Sequence, residues 1–199
     1  MRRRDVLATV AGATAVGVAG CAGSEAETET PRAFRVSSPA IDPDEQLPAR
    51  FTCTGEGVSP PFAVERAPDP TAGFAVTASF NQGPITDRTF WTLWNVPTDR
   101  DRIPAALPSE PVVESLGGAR QGRPEGGEAG YISPCPPRGE PFTYRFQVYA
   151  LSERLSVEGG ATHDTASEAI GNAVLASRRF SVEYTRPASD PGTEAASDG

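Results

Sequence analysis

The sequence predicts a mainly β, sandwich-like domain with a helix packed outside it, and three observations carry that expectation. Apolar, β-prone runs recur along the chain. Glycine and proline, 20 of each in 199 residues, divide those runs with turns and long loops. One stretch near residue 170 has a helical period instead.

Residues 34–38 (Phe-Arg-Val-Ser-Ser) read as a first strand, and residues 73–80 (Gly-Phe-Ala-Val-Thr-Ala-Ser-Phe) as a mostly apolar second one. Residues 89–96 form a third. Strict alternation there turns Phe90 away from Trp91 and places Leu93 on the Trp91 side. Residues 142–150 alternate more cleanly, with Phe142, Tyr144, Phe146 and Val148 on one face. Residues 179–184 complete the set. The helix is marked by Thr165-Ala-Ser-Glu168, which fits a capping box. Ala166, Ala169, Ile170, Ala173 and Val174 then form an i, i+3, i+4 stripe.

Outside this unit the chain reads as address and tether. Residues 1–20 carry Arg2-Arg3-Arg4-Asp5-Val6-Leu7 and then a short Ala/Gly/Val run, the pattern of a twin-arginine export signal. Val18-Ala19-Gly20-Cys21 resembles a lipobox, which makes Cys21 the lipidated first residue of a lipoprotein anchored on the outer face of the cell membrane; a plain secretory signal with an incidental cysteine is the alternative. Residues 21–33 are an acidic tether, residues 34–186 the globular domain, and residues 187–199 a disordered tail.

All 18 basic residues are arginine, against 26 acids, for a net charge of −8. This balance suits a protein working in high salt, as in a halophilic archaeon, where excess carboxylates keep a screened surface hydrated, with GC-rich codon bias as the alternative source of the missing lysine. Removing residues 1–20 takes away three arginines and one aspartate, leaving 15 basic and 25 acidic residues and a net charge of −10. Such a surface excludes nucleic acid, whose binding depends on neutralising phosphates.

Little in the sequence supports catalysis. The only histidine is His163, expected as a solvated turn residue at the helix entrance. One histidine and two distant domain cysteines give no metal-ligand spacing, and neither a nucleophile elbow nor a phosphate-binding loop is present. No cofactor or metal is expected. Cys53 and Cys135 read as a disulfide in an exported protein, with two separate buried thiols as the alternative. Each lies beside a rigid Pro-rich step, in 51–61 (Phe-Thr-Cys-Thr-Gly-Glu-Gly-Val-Ser-Pro-Pro) and 130–137 (Gly-Tyr-Ile-Ser-Pro-Cys-Pro-Pro). Loops of this composition hold one shape around a small ligand.

Ser37-Ser38-Pro39-Ala40, Leu47-Pro48-Ala49-Arg50-Phe51-Thr52-Cys53, Gly57-Val58-Ser59-Pro60-Pro61, Trp94-Asn95-Val96-Pro97, Gly118-Ala119-Arg120-Gln121-Gly122, Gly130-Tyr131 with Pro134-Cys135-Pro136-Pro137, and Tyr149-Ala150-Leu151 occur in that order. In this set the chain resembles the phosphatidylethanolamine-binding protein (PEBP) family, in its YbhB/YbcL branch of Raf kinase inhibitor-like proteins. The resemblance implies two antiparallel sheets with one or two flanking helices and a small anion pocket beside the Pro-rich loop. Some members inhibit kinases or proteases, and no general enzymatic activity is implied.

By family position the pocket falls on Phe80, Gln82, Pro84, Phe90, Trp91, Tyr131, Ser133, Pro134, Phe142 and Tyr144. The chain departs from the family at most of them. The family's Asp-Pro-Asp-x-Pro is Phe80-Asn81-Gln82-Gly83-Pro84, and its His-Trp is Phe90-Trp91. Its Gly-x-x-His-Arg-Tyr ends here in Phe142-Thr143-Tyr144, the Gly-Gly after Gly-Tyr is Ile132-Ser133, and Asn-Asp is Pro124-Glu125. A phosphate site needs donors or cations, often ordered by acids. Three phenylalanines in their place leave dispersion and apolar burial in charge. Either they fill the pocket as extra core, the preferred reading, or they line a cleft for an apolar or uncharged ligand.

The expected function is a surface-anchored, non-catalytic binding or inhibitor module with a largely apolar pocket. Its partner is an unknown protein or a small uncharged ligand, with a lipid anchor in the membrane and no nucleic acid. The alternatives are an enzyme working through Tyr131, Tyr144 or Glu125, and a partner-binding scaffold that uses loops such as 97–111 beside a vestigial pocket.

Overall fold

The computed structural model describes residues 33–81 and 87–189. The expected export signal, Cys21, the tether up to residue 32, Gln82, Pro84 and the tail from residue 190 lie outside the described residues.

The strands are β1 (Arg35–Ser37), β2 (Phe62–Arg66), β3 (Gly73–Asn81), β4 (Asp87–Val96), β5 (Arg102–Ile103), β6 (Val112–Val113), β7 (Ala119–Gln121), β8 (Pro141–Leu151) and β9 (Val174–Thr185), with helix α1 (His163–Asn172) between the last two. They form two antiparallel sheets, ordered β1-β2-β5 and β6-β7-β4-β3-β8-β9. The mainly β, two-sheet architecture with a flanking helix is thus the one expected.

Period-two alternation places the core. Phe74, Val76 and Ala78 of β3 and Tyr144, Phe146 and Val148 of β8 point from the large sheet toward Val36, Phe62 and Ile103 of the small one. Phe62 packs on Phe146 and Phe180 with ring centroids 6.2 and 5.6 Å away. Each such side chain taken out of water contributes about 1.5–3 kcal/mol. On the opposite face Ala75, Trp94 and Leu151 meet Ala166, Ile170 and Ala173 beside α1.

The helix departs from the expectation at both ends. Its N-cap is Thr162, whose Oγ1 accepts a hydrogen bond from the Thr165 backbone N–H, so Thr165 sits in the first turn. Val174 does not continue the apolar stripe; it opens β9 and is exposed. Strand β9 begins five residues before the expected one. Residues 174–179 are mostly exposed and carry no alternation, so pairing with β8, from Leu151↔Val174 onward, specifies them. β2 and the two- and three-residue strands β5, β6 and β7 were likewise not expected; the last three are too short to display a period.

Candidate functional site: an apolar cavity at one end of the large sheet

Phe80 lies near the end of β3, Phe90 near the start of β4, and Phe142 and Tyr144 near the start of β8, so three adjacent strands deliver four rings to one end of the sheet. A bulge decides how they meet. Ala78 pairs with Trp91 and Ser79 with Thr89, which leaves Phe90 as an extra residue in β4. The bulge cancels the alternation expected there: Phe90 and Trp91 both pack on Tyr131, in edge-on contacts of 5.8 and 5.5 Å. Phe90 also lies edge-on to Tyr144 and Phe146, at 5.8 and 6.0 Å. Phe80 bridges outward to Phe142 and Tyr144 at 6.3 and 5.9 Å. Such pairs add roughly 0.5–1.5 kcal/mol each beyond their burial.

The other wall is the Pro-rich loop, held in place by three connections. The Ile132 backbone N–H donates to the Phe90 carbonyl at 3.3 Å, and the Cys53 N–H donates to the Pro134 carbonyl at 3.1 Å. Cys53 and Cys135 are joined as a disulfide with Cα atoms 5.3 Å apart. Gly130, at φ +130°, turns the chain into this loop, and a Cβ there would press on Ser109.

Between rings and loop lies a cavity of about 370 Å³ lined by Phe80, Phe90, Ile132, Ser133, Pro134, Cys135, Pro136, Pro137, Phe142 and Tyr144. The preferred filled-pocket reading is therefore corrected. Phe90 is buried in the cluster, but Phe80 and Phe142 are only half-buried and line open space. No charged side chain is among the lining residues.

Six of the expected pocket residues (Phe80, Phe90, Ser133, Pro134, Phe142 and Tyr144) line the cavity. Trp91 and Tyr131 do not. Trp91 is fully buried beneath, its Nε1–H donating to Gln121 Oε1 at 2.9 Å, and Tyr131 donates to the Phe51 carbonyl at 2.8 Å. Ile132, Cys135, Pro136 and Pro137 are lining residues that family position did not supply, although the composition of their loop pointed at them. Burial, with the neighbouring Tyr184 adding to it, pushes the Tyr144 phenol up to about 12. Burial likewise raises Tyr131 well above the ordinary tyrosine range, with Tyr144 adding to it. Both phenols stay neutral at physiological pH.

The residues of the enzyme alternative are divided. Glu125 lines a separate polar cleft with Asp87, Arg88 and His163, whereas Tyr144 lines the apolar cavity and Tyr131 packs behind it. His163 overturns the expectation of a solvated turn residue. It is 4% exposed, its Nδ1 is hydrogen-bonded to Thr92 Oγ1 at 3.1 Å, and burial brings it down to about 4. A Cβ on Gly122 would collide with Thr92 Oγ1, which is why glycine stands where the two meet. Among the described residues no cluster of His, Cys, Asp and Glu is arranged to hold a metal ion.

A two-sheet β-domain with a small apolar cavity between strand ends and a disulfide-fixed loop has the concave form in which small ligands are commonly held. The match to known proteins narrows this. Residues 37–185 match the phosphatidylethanolamine-binding protein family, and the chain belongs to it. It is 32% identical over 157 residues to a UPF0098 protein of Pyrococcus abyssi, covering 78% of this chain and 85% of that one. It is 33% identical over 138 residues to the UPF0098 protein YbcL of Escherichia coli, covering 65% of this chain and 75% of YbcL. The crystal structure of E. coli YbcL, described as a new member of the mammalian PEBP family, superposes with a TM-score of 0.69 at 28% identity, covering 76% of this chain and 98% of that one.

Proposed function

We propose that this protein is a non-catalytic, surface-anchored binding or inhibitor module of the PEBP family whose pocket takes apolar, uncharged groups in place of anions. The observation that carries this is the cavity of about 370 Å³ walled by phenylalanines, prolines and a disulfide, with no charged side chain in its lining. An oxyanion entering it would shed its hydration and gain no guanidinium, imidazolium or ammonium partner, a cost of several kcal/mol. An apolar group gains about 25 cal/mol for each Å² it buries. Ser133 and Tyr144, the polar side chains in the lining, are neutral hydroxyls suited to orienting a ligand oxygen. The occupant is thus a small uncharged molecule or an apolar side chain of a protein partner. Anchoring follows from the Val18-Ala19-Gly20-Cys21 signature, with Cys21 carrying the lipid.

Calorimetry on the domain tests the pocket. Inorganic phosphate and phosphoethanolamine are expected to give no measurable heat with the wild type, while Phe90→His combined with Phe142→His gains anion binding. Micromolar phosphate binding by the wild type would overturn the reading. Mass spectrometry of the native protein tests the anchor: an unmodified Cys21, or cleavage elsewhere, removes it.

A further inference from the structure

On the face of the large sheet turned away from the small sheet, α1 presents two stripes. Ala166 and Ile170, continued by Ala173 at the C-cap, form the apolar one and belong to the core. His163, Ser167 and Gly171, spaced i, i+4 and i+8, form its neighbour and border two adjoining clefts of about 510 and 210 Å³ that share Asp87 and Thr89. The outer-face residues Thr77, Ser79 and Thr89 of β3 and β4 line the same clefts, so hydroxyls recur on both sides. Two enclosed polar atoms of the helix stripe, His163 Nε2 and Ser167 Oγ, have no hydrogen-bond partner among the described residues. Buried polar groups are seldom left this way.

We propose that this groove is a second binding site, and that its ligand is a neutral saccharide. The charges around it balance, with Asp87, Glu125 and Asp164 against Arg88, Arg145 and Arg179, so neither an anion nor a cation is favoured by net field. Asp87 and Arg145 already pair at 2.6 Å, and Arg179 Nε donates to Gln147 Oε1 at 3.2 Å. Beside Arg88, Glu125 and Asp164 the lining offers many hydroxyls and an imidazole, groups that both donate and accept, which matches the donor–acceptor hydroxyls of a sugar. Burial keeps His163 neutral at physiological pH, so one of its ring nitrogens donates and the other accepts. The ring of Tyr149, whose hydroxyl is 3.2 Å from Thr77 Oγ1, supplies an apolar face in the smaller cleft. Sugar hydroxyls meet the hydroxyls of Thr77, Ser79 and Thr89 that line the clefts, directly or through one bound water. This site shares no lining residue with the apolar cavity, so it stands or falls independently of the proposed function.

The experiment is an amide NMR titration of the whole domain with maltose, cellobiose and N-acetylchitobiose, up to tens of millimolar each. At least one is expected to shift Thr89, Ser167 and Gly171 in a saturable way. Gly171→Leu, whose new Cβ meets nothing within 4 Å and whose helix propensity is higher, fills the groove without unfolding the chain. It is expected to weaken that binding by roughly tenfold or more. Val112→Ser, at an exposed position on β6 outside both clefts, leaves it unchanged. Absence of saturable shifts with all three sugars, unaltered binding by Gly171→Leu, or preferential binding of inorganic phosphate in the groove each overturns the proposal. So does a sugar-soaked crystal in which no sugar occupies the groove.

Discussion

Replacing His163 by Asn, and following stability with pH, probes the buried imidazole quantitatively. Its ordinary value of 6.5 is brought down to about 4, chiefly by burial, with Asp164 opposing in part. The folded state therefore binds a proton less readily than the unfolded chain. The resulting stability is fully present above the unfolded value and is lost as pH falls through the window from 6.5 to about 4. Linkage gives a loss of about 1.4 kcal/mol at pH 5.5 and about 2.5 kcal/mol at pH 4.5, levelling off below the folded value. In the Asn variant this dependence is absent, while the loss of good contact with Thr92 costs about 1 kcal/mol at neutral pH. Urea unfolding of both proteins from pH 7.5 to 4 reads the difference directly. The wild type should start more stable and lose its advantage on acidification, the curves crossing near pH 5.5–6. Parallel curves would mean that the imidazole titrates equally in both states, and the argument from burial would fail.

Other expectations follow from particular contacts. Gln121 is fully buried, accepting from Trp91 Nε1–H and donating from Nε2 to the Pro108 and Glu110 carbonyls at 2.7 and 3.1 Å. Gln121→Leu strands those groups and should cost about 2–4 kcal/mol in chemical unfolding; a loss below half a kcal/mol refutes that role. Phe90→Ala opens the centre of the aromatic cluster and should cost about 3–5 kcal/mol, whereas Phe142→Ala, half-buried at the rim, should cost visibly less in the same assay. The Cys53–Cys135 bond joins residues 82 apart. Chain entropy sets its contribution at about 4.5 kcal/mol, and thiol reduction should lower the urea midpoint accordingly; an unchanged midpoint counts against it.

The sequence alone reached the fold class and the chemistry of the pocket wall. Period-two runs at 142–150 and 73–80 announce strands because side-chain facing in a sheet is a local property of the backbone. Phe80, Phe90 and Phe142, the phenylalanines that line the cavity, stand at strand positions the sequence marks. What tertiary structure decided is everything that depends on pairing. The bulge that turns Phe90 to the Trp91 side is a mismatch of one residue between two strands, and no single strand records it. Whether three rings fill a site or line it depends on where the loop at 130–137 is held, through Cys53 and the Phe90 carbonyl, far from it in sequence. His163 reads locally as a solvated turn residue because burial comes from Thr92 and Gly122, brought over it by the sheet. Local periodicity selects strand or helix; only contacts between distant segments set burial, and burial determines which polar groups stay neutral and which cavities stay open.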